Sequence, residues 1–223
     1  MKTKTKRNLI SGIVLILAFI FWTVLVKTVD VESIGVNSTE IGFATVNGLV
    51  HSLTGVNMWL YTVTDWLGLV PVFVCLLFGF MGFIQFVKRK SLLKVDADII
   101  ILGIYYVIVI LCYLVFEMIP VNYRPVLIDG FLEASYPSST TLLVLSVMPT
   151  LNFQAERRIK NNRIKNIINI VSFLFSVFMV TGRLISGVHW FTDIVGSILL
   201  SSGLFLIYKG VTGRYVYGIQ RKT

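Results

Sequence analysis

Six long stretches without charged residues dominate this chain and restrict what it can fold into. They are residues 8–26, 67–87, 99–116, 138–155, 166–182 and 194–208. Because a helix needs about 20 mostly apolar residues to cross a membrane, we interpret them as transmembrane helices, the last of which is long enough only if it starts near His189. Only 14% of residues are charged, whereas soluble domains are roughly a quarter charged. We therefore predict an all-α polytopic membrane protein with six spans, forming a single domain over residues 1–223.

The positive charges indicate how these spans are oriented. Of the 20 lysines and arginines, only Lys27, Arg124 and Arg183 would lie outside if the N-terminus is cytoplasmic. Since short cytoplasmic loops carry the excess of Lys and Arg, we predict a multi-pass protein of the cell membrane with both termini in the cytoplasm. The net charge of +9 then reflects contacts with anionic lipid headgroups, and no nucleic-acid partner is expected. The basic residues before the first span resemble a signal peptide, but no cleavage pattern follows, so this segment is predicted to be a retained anchor.

Residues 41–65 do not fit this pattern of spans, because they contain three glycines and several polar side chains. We expect one or two helices that lie in the outer interface, with Trp59, Tyr61 and Trp66 at the level of the lipid headgroups. His51 lies in this segment, and it is predicted to make a polar contact and not to act in catalysis.

The cysteines and histidines give no sign of a metal or cofactor. Cys75 and Cys112 both fall within apolar runs and are interpreted as small buried residues, not as a disulfide or a metal pair. The chain has only two histidines, His51 and His189, so it lacks a Cys/His cluster with zinc spacing. We expect neither a metal nor a cofactor.

Polar residues from three separate parts of the chain are predicted to meet at the outer ends of the spans. Arg124 follows the third span, Ser138 opens the fourth after a proline, and Arg183 and His189 lie between the fifth and the sixth. Ionisable residues at the mouth of a membrane segment are costly to place there and usually serve a site. Their convergence from separate segments therefore predicts a functional site on the outer face.

These residue types suit a phosphate. The guanidinium fork of arginine matches phosphate oxygens, and the N–H groups of Ser138, Ser139 and Thr140 at a helix start form a cradle for an anion. His189 is the strong nucleophile nearby, and Asp193, four residues later, would share a helix face with it and orient its ring. The competing interpretation is an interfacial helix start with a capping aspartate and incidental charges.

At these positions the chain resembles the type 2 phosphatidic acid phosphatase superfamily, whose integral membrane branch consists of lipid phosphatases related in fold to vanadium haloperoxidases. The third motif of that family, S-R-x5-H-x3-D, is matched by Arg183, His189 and Asp193, with Gly182 in place of the serine. The resemblance also covers the order of the spans and the placement of the motifs along most of the chain.

The other two family motifs are matched in part. In K-x6-R-P the Arg-Pro pair remains at 124–125, but Glu117 stands in place of the lysine. In P-S-G-H the Pro-Ser pair remains at 137–138, but Ser139 and Thr140 stand in place of glycine and histidine. Two residues that the family uses, the lysine and the second-motif histidine, thus have no counterpart here.

The resemblance implies a role for each matched residue. His189 would attack phosphorus and form a phosphohistidine, Asp193 would orient it, and Arg124, Arg183 and Ser138 would hold the phosphoryl oxygens. The histidine that protonates the leaving group in the family is missing, and such help is typically worth 10²–10⁴-fold. Glu117 would either pair with an arginine or lie outside the pocket.

Three functions remain open at this point. The first is a lipid phosphatase at the outer leaflet, acting on a substrate that needs little acid catalysis, such as a polyprenyl diphosphate, or using Asp129 or Glu133 of the neighbouring loop as the acid. The second is a phosphotransferase, and the third is a catalytically impaired homologue that binds or transports a lipid phosphate. The expected partners are a lipid phosphate or diphosphate and the membrane lipids.

Overall fold

The computed structural model describes residues 2–219, with side chains over 3–215, and these residues form eight α-helices joined by loops. The helices are α1 (Lys2–Thr28), α2 (Ala44–Thr54), α3 (Met58–Leu67), α4 (Leu69–Arg89), α5 (Ala97–Met118), α6 (Ser139–Arg158), α7 (Asn162–Ile185) and α8 (Phe191–Ile219). Within this part of the chain, extended pairing is limited to isolated bridges. The all-α prediction is therefore confirmed.

Five helical segments are long and apolar enough to cross a membrane: α1, α3 with α4, α5, α7 and α8. The side chains on their outward faces are largely apolar, as Phe73 and Phe80 on α4 illustrate, each about two-thirds exposed. Such faces suit the hydrocarbon core of a bilayer, where apolar side chains meet apolar lipid tails. The chain is a multi-pass membrane protein.

The remaining long helix, α6, spans 20 residues and lies among α4, α5, α7 and α8. Its polar side chains Ser146, Thr150 and Gln154 are fully buried, so they meet protein and not lipid. A helix enclosed by other helices does not need an apolar surface to lie within a bundle. Its length is sufficient for a sixth span, and the count of six stays a prediction.

The segment before α4 differs from the expected interfacial helices. Gly68 keeps helical dihedral angles, φ −58° and ψ −17°, so that α3 and α4 form one helical segment, Met58–Arg89, of 32 residues. The predicted start at residue 67 was too late. Because α3 packs against α7, it belongs to the bundle. Trp59 and Trp66 are exposed, and for α2 the interfacial position stays a prediction.

The most extensive helix pairing among the described residues is that of the first and the eighth helix, because α1 runs along α8. Gly12 and Gly203 make this approach possible: a Cβ atom on Gly12 would lie 2.7 Å from Ile207 and 2.9 Å from the carbonyl oxygen of Gly203. Small residues are what allow membrane helices to pack backbone to backbone. The N-terminal helix is thereby fixed along the helix that carries Asp193.

Candidate active site

The loop between α5 and α6 contains a two-residue β-hairpin. Asp129 and Gly130 both have positive φ, 50° and 84°, and the flanking Ile128 and Phe131 exchange backbone hydrogen bonds of 3.0 and 2.9 Å. Aspartate followed by glycine is a common sequence for the turn type that such hairpins use. This Asp-Gly pair is a sequence signal for the hairpin, although we did not predict one from it.

The hairpin brings polar side chains together in pairs. The N–H of Arg124 donates to the carbonyl of Glu133, and the N–H of Ser135 donates to the carbonyl of Asn122, each over 3.1 Å. The indole N–H of Trp190 then donates to the carbonyl of the intervening Tyr123 over 2.7 Å. The hairpin is thus attached to the segment that immediately follows His189.

His189 precedes α8 and does not lie within a helix, in contrast to the predicted shared helix face with Asp193. The helix begins at Phe191, so Asp193 lies in its first turn, where its Oδ2 accepts the N–H of Trp190 over 2.8 Å. Its Oδ1 accepts the amide of Asn122 over 3.1 Å. Asp193 is therefore a helix cap, as the competing interpretation had it, and it also belongs to the cluster around His189.

Ser135 links the histidine to the aspartate. The distance from His189 Nδ1 to Asp193 Oδ2 is 3.6 Å, which is too long for a hydrogen bond. Ser135 Oγ donates to Asp193 Oδ2 and lies 3.2 Å from His189 Nδ1, so it accepts from Nδ1–H. This arrangement selects the imidazole tautomer whose Nε2 carries no proton.

The two arginines of the predicted site are buried above one aromatic ring. The guanidinium carbons of Arg183 and Arg124 lie 4.8 and 5.7 Å from the ring centroid of Tyr61. Arg124 and Arg183 are only 7% and 1% exposed. Since a buried cation is costly unless it is paired, the partners of these two groups decide what the pocket can bind.

Each arginine is only partly paired. Arg124 Nη2 contacts Glu133 Oε2 at 3.1 Å and Arg183 Nη1 lies 3.5 Å from Asp65 Oδ1. Nevertheless, Nε and Nη1 of both arginines are buried without a hydrogen-bond acceptor. These four nitrogens are donors that a bound oxyanion would satisfy.

The arginines also influence His189 directly. Arg183 Nη2 lies 3.4 Å from Nε2 of His189. Burial, and then the positive charges of Arg124 and Arg183, hold the pKa of His189 well below its ordinary value of 6.5. The imidazole is therefore neutral at physiological pH, and a neutral imidazole is the form that can attack phosphorus.

The start of α6 lies beside this cluster but is not entirely free to bind an anion. The N–H of Ser138 donates to the carbonyl of Asp193 over 3.3 Å, and its hydroxyl donates to Thr141. Ser138 is fully buried and supports the backbone of α8. Of the predicted cradle, the N–H groups of Ser139 and Thr140 are left to point out of the helix start.

A cleft of about 420 Å³ opens next to the site between α4, α5 and α6. Asp65, Ser139 and Thr140 line the end nearest the arginines, and apolar side chains such as Val72 and Leu143 line the remainder. The site therefore combines a buried polar pocket with an adjoining apolar cavity, an arrangement that fits an amphipathic ligand.

Two carboxylates that the sequence placed near the site lie away from the arginines. Glu117 is exposed beside a shallow depression with Ser135 and Ser139, and within the described residues it forms no ion pair with Arg124 or Arg183. Asp129 is exposed at the tip of the hairpin. Within the described residues, Arg124 and Arg183 form their ion pairs with Glu133 and Asp65 and with neither of these two carboxylates.

Four residues of the site were missed from the sequence: Tyr61, Asp65, Asn122 and Ser135. Asp65 could have been found from the sequence. Between Glu40 and Lys88 the only acidic or basic residues are His51 and Asp65, and a lone carboxylate in an apolar segment indicates a site. The other three are common polar or aromatic residues. Their contacts depend on the hairpin and on the continuation of α3 into α4.

The fold and the site together define a class: a helical membrane protein with a buried histidine beside a pair of buried arginines. The sequence model of the PAP2 superfamily matches residues 99–215, which is more than half of the chain, and the protein belongs to that superfamily, whose members are phosphatases. The predicted membership is confirmed. A comparison with curated protein sequences gave no match.

A solved structure supports the fold independently. It is described as the crystal structure of the first transmembrane PAP2 type phosphatidylglycerolphosphate phosphatase from Bacillus subtilis. The similarity extends over 92% of this chain and 96% of that one, with a TM-score of 0.65 and 19% sequence identity. At this identity the likeness establishes the architecture, and the chemistry has to be argued from the residues of the present chain.

Proposed function

We propose that the protein is a membrane lipid-phosphate phosphatase that forms a phosphohistidine on His189 at the outer face of the cell membrane. The observation that carries this proposal is the set of buried arginine nitrogens without a hydrogen-bond acceptor that lies beside Nε2 of His189. A phosphate would occupy these donors, and its phosphorus would face the nucleophile.

The first chemical step follows from this geometry. Oxygens of the phosphate accept from the free N–H groups of Arg124 and Arg183, which stabilise the charge that develops in the transition state. Nε2 of His189 attacks phosphorus, and the bond from phosphorus to the leaving oxygen breaks, which releases a lipid alcohol from a monophosphate or a lipid phosphate from a diphosphate. Ser135 and Asp193 hold Nδ1–H and thereby stabilise the positive charge on the ring. Water then attacks the phosphohistidine and releases phosphate.

The apolar cleft supports a lipid as the substrate. It adjoins the arginines at Asp65 and Thr140 and is apolar beyond them, so a hydrocarbon chain would be removed from water while its headgroup reaches the pocket. Because Thr140 stands in place of the second-motif histidine, a lipid monophosphate would require a proton from another residue, whereas a lipid diphosphate such as a polyprenyl diphosphate would not. Its leaving phosphate has a second pKa of roughly 6 and departs without a proton.

The test is phosphate release by the purified protein from lipid monophosphates and diphosphates, together with transfer of label from a radiolabelled substrate. His189→Ala is expected to abolish turnover and to remove an acid-labile, base-stable label from the protein. His51→Ala removes the other histidine, and this variant is expected to retain both turnover and the acid-labile label. Label that persists in His189→Ala would contradict the mechanism.

The same assay separates the alternatives. Label that forms but is released only when an alcohol acceptor is added would indicate a phosphotransferase, and binding without label or release would indicate a binding or transport protein. The outer-face position is tested with intact cells and a water-soluble lipid phosphate that does not cross the membrane. Phosphate release without permeabilisation is expected, and release only after permeabilisation would place the site on the cytoplasmic face.

A further inference from the structure

We propose that Asp65 is the residue that passes a proton to the leaving oxygen of the lipid. Thr140, which stands in place of the family's proton-donating histidine, has no titratable group for this task. This inference rests on the proposed function and concerns the same site. It assigns the missing acid to a residue of α3 that lies outside all three sequence motifs.

The position of Asp65 relative to the nucleophile is the first argument. One guanidinium separates them: Nη2 of Arg183 lies 3.4 Å from His189 Nε2, and Nη1 lies 3.5 Å from Asp65 Oδ1. In phosphoryl transfer the attacking and leaving atoms are roughly in line on opposite sides of phosphorus. A phosphate bound to Arg183 and attacked by His189 therefore turns its leaving oxygen towards the side of Asp65.

The cleft gives a second, independent argument. The leaving oxygen carries the lipid chain, so it must lie where the polar pocket meets the apolar cleft. Asp65 lines the cleft at this end together with Thr140. The junction of α3 and α4 also packs against the start of α6, since a Cβ atom on Gly68, three residues after Asp65, would lie 3.5 Å from Cγ2 of Thr140.

The other carboxylates near the site do not meet both conditions. Glu133 contacts Arg124 at 3.1 Å but lies on the hairpin and is not part of the cleft lining. Asp129 is at the exposed hairpin tip, and Glu117 is exposed near the end of α5. The side chain of Asp65 is 57% exposed, so substrate and water can both reach it.

The proton for the first step comes from the substrate. A phosphate monoester loses its second proton near pH 6, and a monoanion bound beside Asp65 can share its remaining proton with the carboxylate. The lone pair of His189 Nε2 forms the N–P bond, the P–O bond to the lipid breaks, and the lipid oxygen takes the proton from Asp65. The lipid leaves as an alcohol, and Asp65 is left as a carboxylate.

The second step reverses the direction of proton transfer. Asp65 takes a proton from a water molecule whose oxygen attacks phosphorus, and the N–P bond breaks with its electron pair returning to Nε2. Asp65 then gives this proton to the departing phosphate. The carboxylate and the imidazole are thus both restored, and one water has been consumed for each ester bond broken.

The test compares leaving groups in Asp65→Asn. An alkyl lipid monophosphate needs a proton on its leaving oxygen, whereas p-nitrophenyl phosphate does not. We expect alkyl ester hydrolysis to fall by about 10²–10⁴-fold, the usual range for acid catalysis, and aryl ester hydrolysis to stay within about tenfold of the wild type. Asp65→Glu keeps the carboxylate and is expected to keep the alkyl-to-aryl ratio within about tenfold of the wild type.

Glu133→Gln is the matched control, because it removes the carboxylate that pairs with the other arginine and leaves the cleft intact. Glu133→Gln is expected to change the hydrolysis rates of the alkyl and the aryl ester by the same factor. A rescue variant gives a second readout: Thr140→His added to Asp65→Asn places an acid at the other residue of this end of the cleft. Alkyl ester hydrolysis is expected to return in that double variant.

If Asp65→Asn lowers the rates of alkyl and aryl ester hydrolysis by the same factor, the inference is overturned, because Asp65 would then act only as the ion-pair partner of Arg183. A leaving-group dependence in Glu133→Gln instead would assign the acid to the hairpin. In both of these cases the wild type remains active and forms the phosphohistidine. A wild type that hydrolyses neither ester and forms no phosphohistidine would overturn the proposed function and this inference together.

Discussion

The two ends of α6 hold arginines in opposite ways. At its C-terminal end, Arg157 and Arg158 bind Asp98 at 3.3 and 2.9 Å, and their side chains are about 30% exposed, at 32% and 27% respectively. At its N-terminal end, Arg124 and Arg183 are nearly fully buried, and each retains two nitrogens without an acceptor. The more deeply buried cations are thus the less completely paired ones.

This difference in pairing distinguishes arginines that form structural ion pairs from arginines that form a ligand-binding site. The charges at the C-terminal end of α6 are matched by carboxylates of α5 and of the turn that precedes it, so they join helices at little cost in unpaired charge. Burying a guanidinium without full pairing costs free energy, and a fold retains such a group where a ligand completes its pairing. The comparison predicts that activity and stability respond in opposite ways at the two ends.

Of the changes that test this comparison, Arg183→Met has the largest expected effect. Arg183→Met keeps an unbranched side chain of similar length and removes the charge, so we expect activity to fall by about 10²–10³-fold, as for loss of one oxyanion donor. The free energy of unfolding is expected to stay the same or to rise, since replacing buried ionic groups by apolar ones is often neutral or stabilising by about 1–4 kcal/mol. Phosphate release and thermal unfolding in detergent measure the two effects.

Arg163→Met, at the exposed start of α7, controls for the loss of one positive charge and should change neither quantity appreciably. A clear loss of stability in Arg183→Met would mean that this arginine supports the fold, and the contrast between the two ends of α6 would not hold.

At Asp98 a smaller effect is expected, and it should fall on stability and not on activity. Asp98→Asn weakens the contacts to two arginines, so the free energy of unfolding should fall by about 1–2 kcal/mol, while activity stays within about twofold of the wild type. Glu156→Gln is the matched control, because its pair with Lys165 at 3.3 Å is more exposed. It should cost less than about 0.5 kcal/mol. Activity lost in Asp98→Asn in proportion to stability would show that this end is coupled to the site.

The smallest effect concerns pH. Burial and the two arginines lower the pKa of His189 below 6.5 in the folded protein. Just below pH 6.5 the imidazole is therefore protonated in the unfolded chain but not in the folded protein. Stability is therefore fully present above pH 6.5 and falls as the pH drops below it. His189→Asn should lose less stability than the wild type between pH 7.5 and 5.5, measured by thermal unfolding. Burial also lowers the pKa of His51, and His51→Asn is the comparison.

If both variants lose as much stability on acidification as the wild type, the proton uptake belongs to carboxylates and not to histidines. If His51→Asn has the larger effect, the arginines at the site contribute little to the pKa of His189, which would weaken the distinction between the two ends of α6.

Hydropathy predicted most helices because lipid-facing sequences must be apolar, but it could not predict where helices join. The expected spans 8–26 and 99–116 lie within α1 and α5. The span at 67–87 was predicted to begin too late, since the glycines and polar side chains within residues 41–65 made that segment an unconvincing span. Thr64 is in fact fully buried, because the absence of a side chain on Gly182 gives it room on α7: a Cβ there would lie 2.7 Å from Thr64.

The site could be predicted only as far as its motifs reach. Arg183, His189 and Asp193 are placed by local sequence spacing, and the structure brings them together with Arg124. Ser135 could not be found in this way, because its role between His189 and Asp193 arises from hairpin pairing. Whether these residues perform the proposed chemistry stays a prediction.

The packing of α1 along α8 has a consequence for how the protein is made. Synthesis delivers α1 before α8, so the face around Gly12 must remain without its partner while the helices between them are added. The bundle can close only after this late, distant contact forms, and contacts between remote segments are the slow ones in folding. Since α8 also supplies Asp193, closure of the bundle and completion of the cluster around His189 become a single event. Chains that stall before α8 emerges would carry an open α1 surface, a feature by which quality control in the membrane could recognise them.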